Sequence, residues 1–206
     1  KGFSGSRMQD TTLPEGFVKP LEKATAAEQD WGREETLVSL GFQAPPLEDA
    51  DGYAAVVLQS YAGGSGRLRQ VLRDQMGAAH DVSVRYEPLL RGGSVRICAE
   101  TSRQNAEAVL KALRAEVRRI TDTPITHRDL QPALNSASGL YVIGNQTRRA
   151  QIHHVTINVL AGKGLEGYNN YLSGVASVRL EEFHAIAENI LDPDREVTLV
   201  MRGKKE

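Results

Sequence analysis

The chain has 206 residues, a formal net charge of -1 and 25% charged residues; that length suits one or two domains, and the near-neutral balance argues against a dedicated nucleic-acid binder, which shows a strong basic excess. Its hydrophobic content of 40% is ordinary for a globular protein with a real core, and its apolar runs are far short of a membrane span. The single cysteine, Cys98, excludes an internal disulfide and any cysteine-rich zinc site.

Residues 1–34 are polar, with Gly, Ser, Thr and Pro scattered through them and no hydrophobic period. They read as a linker or tail, which leaves 35–206 as the folded domain. The chain begins with Lys1 and shows no signal peptide, so a processed product or excised fragment is expected. Thr36, Val38, Leu40 and Phe42 alternate as a strand does, and Pro45 and Pro46 end it. Ala54, Val57, Leu58 and Tyr61 follow at helical spacing, with acidic residues at the start where the helix dipole favours them. A second helix is predicted from an N-cap at Ser65, with Leu68, Val71, Leu72 and Met76 on one face and Gly77 as its C-terminal cap.

Two strands come next, one carrying Val82, Val84 and Tyr86, the other Val95, Ile97 and Ala99, joined by a turn at Arg91–Gly92–Gly93. Cys98 sits in the second strand and reads as a buried, inert thiol. A helix burying Ala106, Val109, Leu110, Leu113, Val117 and Ile120 follows Thr101. Thr101 and Gln104 have capping-box spacing, as do Thr126 and Asp129. From Thr126 to about Gly162 the pattern is helical but interrupted. Pro132 should kink or restart the helix, and Gly139 and Gly144 weaken it. Two shorter helices, "LEGYNNYLSG" and "SVRLEEFHAIAENIL", precede a last strand, "EVTLVMRG". Clustered strands with helices gathered around them predict a two-layer α+β domain with a largely antiparallel sheet.

The stretch "GGSGRLRQVLRDQMGAAHDVSV", Gly63–Val84, invites a phosphate-cradle reading. Arg67 and Leu68 stand where a phosphate loop needs Lys and Ser or Thr, and Arg69 stands where the dinucleotide fingerprint needs its third glycine. The glycines therefore read as a tight helix–helix turn. An RNA-binding sheet is disfavoured by 5% aromatics and by strands without paired exposed aromatics for base stacking. None of the five histidines opens an H-x-x-E-H motif. His153 and His154 are adjacent and point about 100° apart on a helix, so one is expected partly buried and the other in solvent. His184 reads as a helix-surface residue, and Glu181 with Glu182 as a solvated acidic face.

"LGFQAPPLEDADGYAAVVL" followed by the Gly63–Val84 stretch resembles the C-terminal domain of the pitrilysin-type (inverzincin) zinc metallopeptidases, the group of the mitochondrial processing peptidase and the insulin-degrading enzyme. In that family a "G-x-x-S-x-L" turn opens a helix reading "LR-x-x-x-G-x-x-Y". Gly63 to Leu68, Leu72, Arg73 and Gly77 fall in register with it. "THRDLQPALNSASG" is similar to a further family helix, with Asp129 in place of Glu. "SVRLEEFHAIAENILDPDREVTLVMRG" is similar to the closing helix and strand. The resemblance covers about Glu35 to Gly203. It implies a processing-peptidase-like fold with helices on one face of the sheet.

It also implies a function: the non-zinc half of a peptidase, enclosing and positioning a peptide for hydrolysis. Zinc is then expected in a partner half carrying H-x-x-E-H, either an N-terminal domain or a partner subunit, and no cofactor in this chain. In the family an Arg and a Tyr of this half reach across the cleft toward the substrate carbonyl. Arg73 aligns with the Arg; His80 takes the place of the Tyr. These two are the candidate substrate-binding residues, and no catalytic or metal-binding residue is expected. The rival reading is a non-catalytic structural or interaction subunit of the same fold, as in the core proteins of the respiratory cytochrome bc complex. Compartment is not legible; a soluble chain of the bacterial periplasm or cytoplasm would suit the resemblance.

Overall fold

A computed structural model describes residues 19–47, 49–63 and 66–204. Five strands, β1 (Thr25–Asp30), β2 (Thr36–Ala44), β3 (Ala79–Leu89), β4 (Gly92–Thr101) and β5 (Val197–Arg202), form one sheet in the order β1-β5-β2-β4-β3. Every neighbouring pair is antiparallel except β1 with β5. Alternation decides which face meets the helices. Val38, Leu40 and Phe42 of β2, Val82, Val84 and Tyr86 of β3, and Val95, Ile97 and Ala99 of β4 are all buried. Between them, Leu37, Gly41, Cys98, Leu199 and Met201 face the other way and stay half-exposed.

The helices are α1 (Gly52–Ala62), α2 (Arg67–Arg69, continuing as a π-helical turn over Gln70–Gln75), α3 (Ala106–Asp122), α4 (His127–Gly144), α5 (Arg148–Leu160), α6 (Gly164–Asn169), α7 (Tyr171–Ala176) and α8 (Leu180–Ile190). The core lies between the sheet and α1, α3 and α8. On α3, Val109, Leu113, Val117 and Ile120 recur every three or four residues and are buried; on α8, Phe183, Ile186, Ala187 and Ile190 do the same. The result is the expected two-layer α+β arrangement. Glu196 is buried at the entry to β5, where Arg114 Nη2 donates to its carboxylate at 2.7 Å and Thr198 Oγ1 at 2.6 Å. This charge is tolerated because both partners satisfy it.

Several local expectations change. Pro132 does not restart α4, which runs unbroken through it from His127 to Gly144. Proline removes only its own N–H from the ladder, and the Thr126–Asp129 capping box holds the start, with Thr126 N–H donating to Asp129 Oδ2 at 2.9 Å. The break comes instead at Asn145–Thr147, where Thr147 caps α5. The Thr101–Gln104 box does not form; Thr101 Oγ1 donates to the Ala78 carbonyl, and a short 3-10 turn leads into α3. The β3–β4 turn is Leu90–Arg91, with Gly92 and Gly93 already in β4. "LEGYNNYLSG" divides into α6 and α7. The Ser65 cap lies outside the described residues, and Gly66 holds the N-cap position of α2.

No element was expected before Thr36, yet β1 pairs in parallel with β5 from Thr25 to Asp30. All six of its residues are exposed, so no hydrophobic period marks it. Backbone bonds hold it, with Glu28 paired to Arg202 and Trp31 N–H donating to the Arg202 carbonyl at 3.1 Å. Limited proteolysis should therefore leave Thr25–Asp30 inside the resistant fragment. A fragment starting at Glu35 would show that β1 detaches and that the tail reading describes it better.

Candidate functional site

Arg73 lies in the π-helical turn that follows α2. Leu68 and Leu72 anchor that segment, 1% and 0% exposed. The turn is wider than an α-turn: Met76 N–H donates to the Val71 carbonyl at 3.0 Å, an i→i+5 bond. The extra residue rotates Met76 off the buried face, which explains why it is 43% exposed rather than in the core. Gly77 then closes the helix with φ +60, a conformation that favours glycine. Ala78 N–H returns to the Leu72 carbonyl at 3.0 Å, and the chain enters β3 at once.

His80 sits at a register shift. Ala79 pairs with Thr101 and Asp81 with Glu100, so His80 is the unpaired extra residue of a bulge. Simple alternation puts His80 on the face of Val82, Val84 and Tyr86; the bulge breaks that count. Ala79 and Val82 are buried, while His80 and Asp81 are exposed. Two irregularities, a π-turn and a bulge, thus flank one three-residue connection, and each carries one candidate side chain. Arg73 and His80 are both exposed. The structure places them on adjoining elements without a hydrogen bond between them. Neither irregularity is visible in hydrophobic spacing.

His153 is exposed and His154 half-buried, as adjacency on a helix requires. Burial and the neighbouring His153 hold His154 below the usual imidazole range. It is therefore neutral at pH 7. Asn145 uses its amide nitrogen on the Tyr141 carbonyl, so its oxygen faces His154 and the ring must donate from Nδ1, at 2.7 Å. His184 differs from expectation: it is half-buried, and its Nε2 accepts from Ile125 N–H at 3.4 Å. Cys98 is half-buried rather than buried, beside Ser39 Oγ at 3.4 Å on the open sheet face.

A cleft of about 500 Å³ lies between α1, the end of β3 and the α4–α7 helices. Its wall is aromatic. Tyr141 stacks on Tyr171 at 3.9 Å and on His154 at 5.5 Å, and Tyr53 meets Tyr171 edge-on at 5.6 Å. Gly174 allows this, because a Cβ there would meet the Tyr53 ring at 2.5 Å. Burial raises the Tyr171 phenol above its usual range. These tyrosines come from helices far apart in sequence, and no motif announces the cleft.

A family model described as the peptidase M16 inactive domain matches residues 5–137. The chain belongs to the peptidase M16 inactive-domain family. No curated protein matches it. Among solved structures it is similar to a protease from Helicobacter pylori, with 18% identity, 97% of this chain and 49% of that one covered, and a TM-score of 0.79. It is similar to the peptidase M16 inactive domain from Pseudomonas fluorescens, with 18% identity, 89% and 44% covered, and a TM-score of 0.74. It is also similar in fold to a chain of complex III2 from Candida albicans, with 11% identity, 89% and 46% covered, and a TM-score of 0.75. The chain thus spans about half the length of these three solved chains, at 49%, 44% and 46%.

An M16 inactive domain carries no catalytic zinc. Among the described residues, no group of three or more His, Cys, Asp or Glu could hold a metal ion, and no helix is long and apolar enough to cross a membrane. Metal analysis after dialysis should accordingly find no stoichiometric zinc on this M16 domain by itself. One tightly held zinc per chain, lost on replacing a histidine, would overturn that expectation.

Proposed function

We propose that this chain is the non-zinc half of a two-half zinc metallopeptidase, closing over an unfolded peptide and positioning it for hydrolysis. Membership of the M16 inactive-domain family carries the reading. The open sheet face supports it. Leu37, Gly41, Cys98, Leu199 and Met201 give a half-exposed, mainly apolar wall, suited to the apolar side chains of an unfolded peptide. Zinc in the companion half would supply Lewis-acid activation of water; this half would bind, orient and exclude solvent. Arg73 and His80 would offer donors toward the substrate carbonyl.

The direct test is reconstitution. The H-x-x-E-H-bearing half should cleave an unfolded peptide poorly by itself and efficiently once this chain is added. Equal cleavage with and without the chain would defeat the proposal. The likeness to a chain of complex III2, with His80 in the tyrosine position, favours a second reading in that event: a structural subunit of the same fold.

A further inference from the structure

Helix α5 has thirteen residues and buries none of them. An isolated helix of that length is marginal in water and draws its stability from packing. Here Ile152, Val159 and Leu160 of α5 face outward instead, 67%, 54% and 66% exposed, and on the helices either side of it in sequence Ile143 of α4 is 62% and Leu165 of α6 57% exposed. Large apolar side chains exposed on successive helices, one of which buries nothing, mark an interaction site. The face also has a charge signature. From Leu130 to Leu165 the sequence contains no Asp or Glu, while Arg148 and Arg149 stand at the start of α5. Both are exposed. Leu140, 54% exposed, joins this face to the aromatic cleft, which it lines together with His153 and Ile157. Ser60 Oγ, on the same cleft wall, is buried with no hydrogen-bond partner among the described residues.

We propose that this apolar face, with the aromatic cleft behind it, is the docking surface for the companion half of the peptidase. The proposal rests on the two-half reading above and adds which surface makes the contact. The companion would present an apolar or aromatic anchor to the cleft, inside a rim of carboxylates that answers Arg148 and Arg149. Two observations favour this occupant. Two bacterial chains of the same fold, from Helicobacter pylori and Pseudomonas fluorescens, are about twice as long, with 49% and 44% of their length matched, so a body of comparable size accompanies this fold in them. A second copy of this chain would bring the same two arginines to the seam, and no carboxylate from the second half of α4 or from α5 to meet them.

Ile152→Glu with Leu160→Glu tests it, and Ala115→Glu serves as control. Ala115 is exposed but lies on α3, which does not line the cleft. Association with a separately expressed H-x-x-E-H-bearing half is read by titration calorimetry, with circular dichroism confirming each fold. The double variant should bind at least about 100-fold more weakly, as loss of a hot-spot pair does, and the control should bind normally. Arg148→Glu with Arg149→Glu gives a second reading, independent of the apolar changes, and should weaken binding while reducing its salt dependence. If the unaltered chain binds the other half and the Ile152/Leu160 variant binds as tightly, the surface is wrong while the two-half reading stands. If the unaltered chain does not bind that half at all, both fall. If the variants abolish a homodimer, or attachment to phosphatidylserine vesicles, without changing affinity for the other half, the face belongs to a second copy or a membrane and the proposal is overturned.

Discussion

Replacing Arg73 by alanine in the assembled two-half peptidase should cut turnover by about 10²–10³-fold, the usual loss when one oxyanion donor is removed, and leave the melting temperature unchanged. The side chain is exposed and the segment is held by Leu68 and Leu72, so truncation removes a donor without opening the core. A guanidinium is always charged and donates in a fixed fork. Arg73→Lys should therefore recover only part of the loss, because a point ammonium does not reproduce that geometry. His80→Ala should cost less than Arg73→Ala, and His80→Tyr, which places the family's phenol on the bulge, should raise turnover. Steady-state kinetics with a peptide substrate separates the roles: a fall in kcat with KM unchanged marks a transition-state contact. Unchanged turnover in Arg73→Ala would put the structural-subunit reading ahead.

Replacing Phe183 by alanine should destabilise the domain by about 3–5 kcal/mol, the range for an aromatic removed from a packed core. Phe183 is 0% exposed and meets the Tyr61 ring edge-on at 5.2 Å, which joins α8 to α1. Leu58, Leu113 and Val175 of the same core cluster are 1%, 0% and 0% exposed, and a core so closely packed collapses poorly into a cavity. For a domain of this size the melting temperature should fall by roughly 6–20 °C. Phe183→Leu should lose less, since it leaves a smaller void. A loss under about 1 kcal/mol, within the range of surface substitutions, would mean that α8 does not carry the core contact assigned to it. Urea unfolding, compared at unchanged slope, measures the difference.

The candidate residues were legible only as positions. Arg73 and His80 come from a register with the family pattern, and nothing in the spacing of hydrophobic residues shows that one sits in a π-turn and the other in a bulge. A bulge adds a single residue to one strand, which leaves the sequence free of any mark but shifts the parity behind it. The aromatic cleft was not legible either. Tyr53, Tyr141 and Tyr171 lie on three helices, and each by itself looks like an ordinary half-buried tyrosine. Cys98 is less buried and His184 more buried than spacing along the chain implies, because burial depends on neighbours across the sheet and across helices. Period-2 alternation tells that Cys98 faces away from Ile97, but not that no helix of the described residues covers the far face.

Features that depend on near neighbours along the chain follow from the order of residues. Alternating Val, Ile and Ala built β3 and β4, three-and-four spacing built α3 and α8, and Thr126 with Asp129 capped α4, since each effect acts over one to four residues. Tertiary structure alone decided the rest. β1 exists because β5, more than 160 positions later, offers it a free edge; its own exposed residues contain no reason to be a strand. Pro132 stays inside a continuous helix because one missing hydrogen bond costs less than the packing of Leu130, Ala133 and Ala137 restores. Loop-closing contacts of this kind gather side chains that the chain keeps far apart, and their energy appears only once the fold has formed.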